Sequence, residues 1–210
     1  MLTLVTGGSG SGKSAFAEDR VLSFGEGKRI YIATMHPFDE ESHKRIERHR
    51  KMRAGKGFET VECYTGLKNA VLPGESGKCV VLLECMSNLV ANEMFEEQGA
   101  HEQTVQEIMA GVKNLLRQAD HVVIVTNEIF SDAAFFEGDM DTYLKDLGKI
   151  NQETAQMADE VVEVVYGIPV YHKCMKKEEH KWNLYGIILR WHLPCFRKFP
   201  CPVQTGPRKT

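Results

Sequence analysis

The sequence has 210 residues, of which 42% are hydrophobic and 26% are charged, which predicts one globular α/β domain with at most a short appendage. No apolar stretch is long enough to cross a membrane, and the N-terminus lacks the regions of a signal peptide, so we expect a cytoplasmic protein without membrane insertion. The six cysteines form no CxxC pair, which predicts reduced thiols and argues against a zinc site.

The net charge of −3 is unevenly distributed along the chain. Residues 173–210 contain nine Lys or Arg and two acids, whereas residues 1–172 contain 17 bases and 27 acids. A general nucleic-acid-binding protein more often carries positive charge over a whole face. The distribution therefore predicts an acidic body with a basic tail and argues against nucleic acid as the general partner.

Short apolar runs rich in β-branched residues predict buried strands at 2–6, 29–34, 78–85, 121–128 and 160–167. Segments of helical character separate them, at 13–23, 40–53, 87–97, 102–119 and 141–158. This alternation is typical of an α/β fold with a mostly parallel sheet and helices on both faces. Ligands of such sheets bind beyond the carboxyl ends of the strands, so the residues just after each run are candidates for the site.

The first such connection carries the sequence GGSGSGKS at residues 7–14, which fits the P-loop pattern G-x-x-x-x-G-K-[ST] between a strand and a helix. Glycines let the backbone N–H groups surround phosphate at the helix N-terminus. We expect Lys13 to reach the β and γ phosphates and Ser14 to ligate Mg²⁺. The motif predicts a P-loop NTPase-like fold and nucleotide binding, but leaves the reaction open.

Two acids follow buried strands, where nucleotide-hydrolysing folds often place a carboxylate near the metal. Glu84 is the second-last residue of the strand at 78–85, and Glu128 ends the strand at 121–128. Either could accept a proton from a substrate hydroxyl, and either could be a solvated carboxylate at a strand end. The sequence does not choose between them.

The stretch SHKRIERHRKMR, residues 42–53, contains six Lys or Arg and two His around a single acid, Glu47. Three interpretations stay open: a patch for nucleic acid, the solvated face of a helix, and the lining of a site for a strongly anionic substrate. A histidine in a charged helix is usually a surface residue. His36 and His43 lie nearby and compete with His49 for any special role.

The motifs TGGSGSGKS, YIATM, DEESHKRIERHR, ETVE, LLEC, VTNE and NQETAQMADEVVEVVYGIPV follow one another in this order. Together they resemble the bifunctional adenosylcobinamide kinase / adenosylcobinamide-phosphate guanylyltransferase family of cobalamin biosynthesis, over about residues 1–172. The resemblance implies that adenosylcobinamide is phosphorylated with ATP or GTP. It further implies that GMP passes from GTP to adenosylcobinamide phosphate, giving adenosylcobinamide-GDP and pyrophosphate.

The resemblance also implies the roles of individual residues. The family carries GMP on the histidine of the pattern R-I-x-x-H-[RK], which is His49 here. Lys13 and Glu84 are further candidate catalytic residues, and Mg²⁺ is expected on Ser14. The expected nucleotide contacts are Gly7, Gly8, Ser9, Gly10, Ser11, Gly12, Lys13, Ser14, Ala33, Thr34, Met35, Arg50, Lys51, Met52, Arg53, Glu62 and Glu84.

The chain departs from the family pattern in two places. Ala54 and Phe58 stand where many relatives have Pro and Trp. After VTNE, the familiar glycine-rich loop and Arg-Phe-Arg-Asp helix become IFSDAAFFEGDMDTYLKD, in which Asp146 is kept. This region is a candidate for the corrinoid pocket or a subunit contact, and the resemblance implies a homotrimer.

The family pattern ends near residue 173, so we predict a catalytic domain at 1–173 and a basic extension at 174–210. A disordered extension and an extra helix at 178–191 are two interpretations of this tail. In a third, MKKEEHKWNLYGIIL from Met175 resembles the start of cobalamin synthase, which acts next on adenosylcobinamide-GDP. We hypothesise a reading-frame change that joined two genes, which resequencing of the DNA tests.

Three functions follow from the sequence. The first is the two-step enzyme with a guanylyl-histidine intermediate. The second is a P-loop small-molecule kinase in which His49 only helps to bind phosphate. The third is a nucleotide-switched regulatory or nucleic-acid-binding protein that uses residues 42–53 for contact.

Overall fold

A mostly parallel sheet forms the centre of the computed structural model, which describes residues 1–73, 77–130 and 138–174. Its strands within these ranges are β1 (Leu2–Thr6), β2 (Lys28–Ala33), β3 (Phe58–Glu62), β4 (Cys79–Glu84), β5 (His121–Val125), β6 (Glu160–Val165) and β7 (Ile168–Lys173). Their order is β3-β2-β4-β5-β1-β6-β7, and β7 is antiparallel to β6 whereas the other neighbouring pairs are parallel.

Five α-helices connect the strands of the described ranges. They are α1 (Lys13–Leu22), α2 (Glu40–Arg53), α3 (Met86–Phe95), α4 (Thr104–Gln118) and α5 (Asp139–Met157). Two short 3-10 turns occur at Leu67–Asn69 and His101–Gln103. The strands and helices expected from the periodicity are all present, and their ends shift by a few residues.

Successive residues of the central strands point to opposite faces of the sheet, and both faces are covered. Leu83 packs in a cluster with apolar side chains of α3, α4 and α5, whereas the adjacent Leu82 packs in a second cluster with Ala17 and Val21 of α1. Burial on both sides explains why these strands are continuously apolar. The predicted α/β class, with a parallel sheet between two helical layers, is confirmed.

Helix α2 is held differently from the other helices, because its side chains contribute almost nothing to the core. It begins with a capping box in which Ser42 N donates to Asp39 Oδ1 (2.7 Å) and Asp39 N donates to Ser42 Oγ (2.9 Å). Arg53, in its last turn, is its buried residue. A helix with so little apolar contact is stabilised by its cap and its ion pairs, and its position serves the site described below.

Two strands that were not predicted from the sequence, β3 and β7, both lie at edges of the sheet. In β3 the sequence FETVE is short and mixes charged with apolar residues. Strand β7 is exposed along its whole length and contains Pro169, which an edge strand tolerates. The predicted strand at 160–167 ends instead at Val165, because Tyr166 (φ 50°) and Gly167 (φ 79°) form the turn into β7.

The described residues belong to one compact unit, Met1–Cys174. Residues 175–210 lie outside the described residues. The three interpretations of this tail, a disordered extension, an extra helix and a reading-frame change, therefore stay predictions. Residues 131–137 of the atypical segment after VTNE also lie outside the described residues. Within the described ranges, no helix is both long and apolar enough to span a membrane.

Candidate active site

The P-loop is fixed on both sides by the main chain of neighbouring strands. Gly167 N, in the β6–β7 turn, donates to Ser11 O (2.8 Å), and Glu128 N, beyond β5, donates to Gly7 O (3.0 Å). A Cβ atom at Gly7 would lie 2.6 Å from Val164 O. At Gly12 the left-handed conformation (φ 92°) starts α1. The glycines are therefore needed for close approach and for the turn into the helix.

Lys13 is folded back over this loop. Its Nζ donates to Gly8 O at 2.9 Å, and the residue is only 8% exposed. Burial lowers the pKa of Lys13 below its ordinary value of 10.5, while Cys85 and Glu84 act in the opposite direction. A buried ammonium at this position is suited to bind a phosphate oxygen.

Glu84 joins the P-loop to the end of β4. Its Oε1 accepts a hydrogen bond from Ser14 Oγ, and its Oε2 accepts one from the Tyr31 hydroxyl at 3.3 Å. The carboxylate is buried. A serine hydroxyl and a carboxylate side by side are oxygen ligands of the kind that Mg²⁺ prefers, so the residues present fit the expected metal.

His49 lies beside the same carboxylate and also lines the cavity. Its Nδ1 lies 3.7 Å from Glu84 Oε1, a distance longer than a hydrogen bond, and this buried nitrogen has no hydrogen-bond partner among the described residues. The side chain is 17% exposed, compared with 52% for Arg45 on the same helix. His49 is thus turned inward from a helix whose other side chains mostly face solvent.

The two competing histidines lie in different surroundings. His43 also lines the cavity. His36 stacks on Tyr64, with ring centroids 3.7 Å apart, and its Nε2 lies 3.0 Å from Glu96 Oε1. Within the described ranges no group of three His, Cys, Asp or Glu side chains could hold a metal ion.

The bases of α2 differ in their exposure and in their partners. Lys44, Arg45 and Lys51 make exposed ion pairs with acids one helical turn earlier, at 3.5, 2.9 and 2.8 Å. Arg53, by contrast, is 7% exposed, its Cζ lies 3.3 Å from the centroid of the Tyr31 ring, and its buried Nη1 has no partner among the described residues. Of the six bases of this helix, all but Lys51 also line the cavity, so their charge belongs more to the site than to a purely solvated face.

The residues of this site enclose a cavity of about 1070 Å³. Its lining includes most of the residues expected from the resemblance: Ser9, Gly10, Ser11, Gly12, Lys13, Ser14, Ala33, Met35, His49, Arg50, Met52, Arg53, Glu62 and Glu84. Gly7, Gly8, Thr34 and Lys51 are not part of the lining. Arg50 and Glu62 form a loose pair, with 3.9 Å between Nη2 and Oε1. The contacts of all these residues with nucleotide stay predictions.

Thr34 lies outside the cavity lining and bonds to the main chain instead. It is fully buried, its Oγ1 donates to Cys85 O (2.8 Å), and it accepts from Cys85 N (2.7 Å). Its own carbonyl accepts from Asn92 Nδ2 at 2.9 Å. The side chain therefore fixes the junction of β4 and α3.

The two carboxylates left open as kinase bases are separated by the structure. Glu84 lines the cavity, whereas Glu128 does not, and Glu128 Oε1 accepts from Phe130 N at 3.0 Å. Sequence reasoning missed other residues of the lining, among them Tyr31, Tyr64 and Asn127. Tyr31 lies inside the predicted strand at 29–34, where an aromatic residue indicates only core.

Known proteins of one family resemble most of this chain. The family model for cobinamide kinase / cobinamide phosphate guanyltransferase matches residues 3–171. The bifunctional adenosylcobalamin biosynthesis protein CobU of Escherichia coli is 36% identical over 182 residues, which cover 81% of this chain and 98% of that protein. Its namesake in Salmonella typhimurium is 33% identical over 183 residues, with the same coverage.

A solved structure with lower similarity is the flagellar accessory protein FlaH of Methanocaldococcus jannaschii. It is 13% identical, with a TM-score of 0.45 over 83% of this chain and 78% of that one. This likeness is too weak to say anything about activity. The family model, in contrast, covers nearly the whole described unit, and the CobU proteins align over almost their full lengths. The chain belongs to the cobinamide kinase / cobinamide phosphate guanyltransferase family.

Proposed function

We propose that the chain phosphorylates the aminopropanol hydroxyl of adenosylcobinamide and then transfers GMP from GTP to adenosylcobinamide phosphate through a guanylyl intermediate on His49. Family membership supports the two activities. The observation that carries the histidine intermediate is the inward position of His49, 3.7 Å from a carboxylate that also binds the P-loop serine.

In the first half of guanylyl transfer, a ring nitrogen of His49 attacks the α phosphorus of GTP. The bond from that phosphorus to the α–β bridging oxygen breaks, and pyrophosphate leaves with the electron pair. In the second half, an oxygen of adenosylcobinamide phosphate attacks the same phosphorus and releases His49. Splitting the transfer into two displacements gives each a lower barrier.

The residues around His49 suit this chemistry. Nδ1 is the nitrogen that faces Glu84, which leaves Nε2 free for phosphorus. Lys13 and Arg53 are positioned to bind the β and γ phosphates and the charge that develops on them. Ser14 would hold Mg²⁺, which would neutralise phosphate charge there.

For the kinase step, Glu84 is the better candidate for the base. It is buried at the cavity next to the P-loop serine, whereas Glu128 is engaged by Phe130 N. ATP and GTP both fit a P-loop, since the loop binds the phosphates and not the purine ring.

From the resemblance we further propose a cytoplasmic homotrimer. Light scattering on the purified protein tests the trimer by measuring its mass.

Labelled GTP tests the proposed function. Label from the α phosphate should become attached to the wild-type protein in an alkali-stable, acid-labile form, and His49→Ala should abolish it. His43→Ala is the matched control, since it removes a histidine of the same helix and cavity and should retain labelling. Attachment of α label to His49→Ala at the wild-type level would refute the assignment, and transfer of γ label alone to adenosylcobinamide would indicate a kinase without guanylyl transfer.

A further inference from the structure

Tyr31 lies between two charged groups that come from different parts of the chain. Its hydroxyl donates to Glu84 Oε2 at 3.3 Å, and its ring lies under the guanidinium of Arg53 with Cζ 3.3 Å from the centroid. Phe58 packs against the ring edge at 6.5 Å between centroids, and Tyr31 is only 5% exposed. The side chain is therefore held firmly and touches both groups at once.

The strand register places Tyr31 for this double contact. In β2, Ala33 pairs with Glu84 of β4, so Tyr31 lies two residues back on the same face. Arg53 is the last residue of α2, the helix that also contains His49. One side chain thus connects the carboxylate beside the P-loop with the helix of the proposed nucleophile.

The Arg53 guanidinium is incompletely satisfied in this arrangement. It is 7% exposed, and its buried Nη1 has no hydrogen-bond partner among the described residues. A buried cation with an unpaired donor is costly unless a ligand completes its contacts. Since Arg53 lines the cavity, an anionic ligand oxygen is the natural partner.

We propose that Tyr31 is a positioning residue for guanylyl transfer, whose hydroxyl directs Glu84 Oε1 toward Ser14 and His49 and whose ring holds Arg53 against the triphosphate. The expected effect of Tyr31 on the rate of guanylyl transfer rests on the proposed function. Its expected effect through Arg53 concerns only the affinity for nucleotide.

The first test separates the hydroxyl from the ring. Tyr31→Phe removes the hydrogen bond to Glu84 and keeps the surface under Arg53. We expect single-turnover labelling of His49 from α-labelled GTP to slow by about ten- to hundred-fold, with the half-saturating GTP concentration unchanged. Thr104→Val is the control, because it removes another part-buried hydroxyl, which donates to His101 O at 2.6 Å outside the cavity, and should label at the wild-type rate.

The second test separates the ring from the hydroxyl. Tyr31→Leu should weaken binding of α,β-methylene-GTP, a GTP analogue that cannot transfer its GMP, whereas Tyr31→Phe should not. Adding Tyr31→Leu to Arg53→Ala should weaken binding no further than Arg53→Ala alone, because both changes remove the same contact. Thermal unfolding of each variant establishes that it is folded.

The outcomes distinguish this inference from the proposed function. If wild-type protein is not labelled, the guanylyl-histidine mechanism fails, and the binding measurements still decide the role of the Tyr31 ring. If wild type is labelled and Tyr31→Phe labels at the same rate as Thr104→Val, the hydroxyl has no positioning role. Additive losses of binding for Tyr31→Leu and Arg53→Ala would show that the ring acts independently of Arg53.

Discussion

The imidazole of His49 and the carboxylate of Glu84 lie side by side at the cavity, with 3.7 Å between Nδ1 and Oε1. The same carboxylate oxygen accepts a hydrogen bond from Ser14 of the P-loop. Helix α2, strand β4 and the P-loop thus converge on one group. This convergence is the physical basis for assigning a nucleophilic role to one histidine of a strongly charged helix.

The loss of Lys13 should weaken binding of the phosphate chain. Lys13→Ala removes a buried ammonium that lies over the loop, so affinity for tripolyphosphate should fall by about 2 kcal/mol, the typical value of a charge-assisted hydrogen bond. Isothermal titration measures it. Equal affinities of wild type and Lys13→Ala would contradict a role of this side chain in phosphate binding.

The affinity for tripolyphosphate should also decrease at alkaline pH. Burial lowers the pKa of Lys13 in the free protein, so the protonated form that attracts phosphate is lost at a lower pH than for an exposed lysine. Affinity should therefore decline as the pH rises through values below 10.5. Lys13→Arg, which keeps its charge throughout this range, should remove the decline. A parallel decline in that variant would place the titrating group elsewhere.

Two adjacent glycines of the P-loop should differ in their tolerance of a methyl group. A Cβ at Gly7 would approach Ser11 Oγ and Val164 O to 2.6 Å, whereas a Cβ at Gly8 would meet nothing within 4 Å. Gly7→Ala should lower the free energy of unfolding by about 1–3 kcal/mol, the usual cost of overpacking. Gly8→Ala should leave it close to the wild-type value. Chemical denaturation of both variants checks the difference.

Thr34 should matter more for stability than for nucleotide affinity. Thr34→Val leaves the N–H and carbonyl of Cys85 without their side-chain partner, so the free energy of unfolding should fall by about 2 kcal/mol. Thr34→Ser keeps the hydroxyl and should lose less. The dissociation constant of α,β-methylene-GTP should be similar in folded protein of both variants, and a selective loss of affinity in Thr34→Val would instead support direct contact of the side chain with nucleotide.

The sequence was sufficient to predict the central part of the fold. Buried strands such as β4 are apolar throughout because both faces are covered, so their pattern is strong and local. The edge strands β3 and β7 were missed, since FETVE mixes polar and apolar residues and IPVYHK is exposed. At an edge, tertiary hydrogen bonding decides the structure more than side-chain pattern does.

The candidate site was predictable to a different degree for each kind of residue. The P-loop motif indicates its own structure, because its glycines and lysine act through local backbone geometry. The inward orientation of His49 and the exposure of Lys51 on the same helix depend on how α2 lies over the sheet, which α2's weak apolar pattern does not specify. Tyr31 resembled any core aromatic residue, and only the three-dimensional structure shows its contacts with Glu84 and Arg53.

The central claim is that His49 becomes covalently attached to GMP, and peptide mapping of GTP-treated protein under alkaline conditions tests it most directly. We expect one GMP per chain, located on the peptide at His49, and its loss when adenosylcobinamide phosphate is added with formation of adenosylcobinamide-GDP. GMP found on another residue, or formation of product by His49→Ala at the wild-type rate, would contradict it.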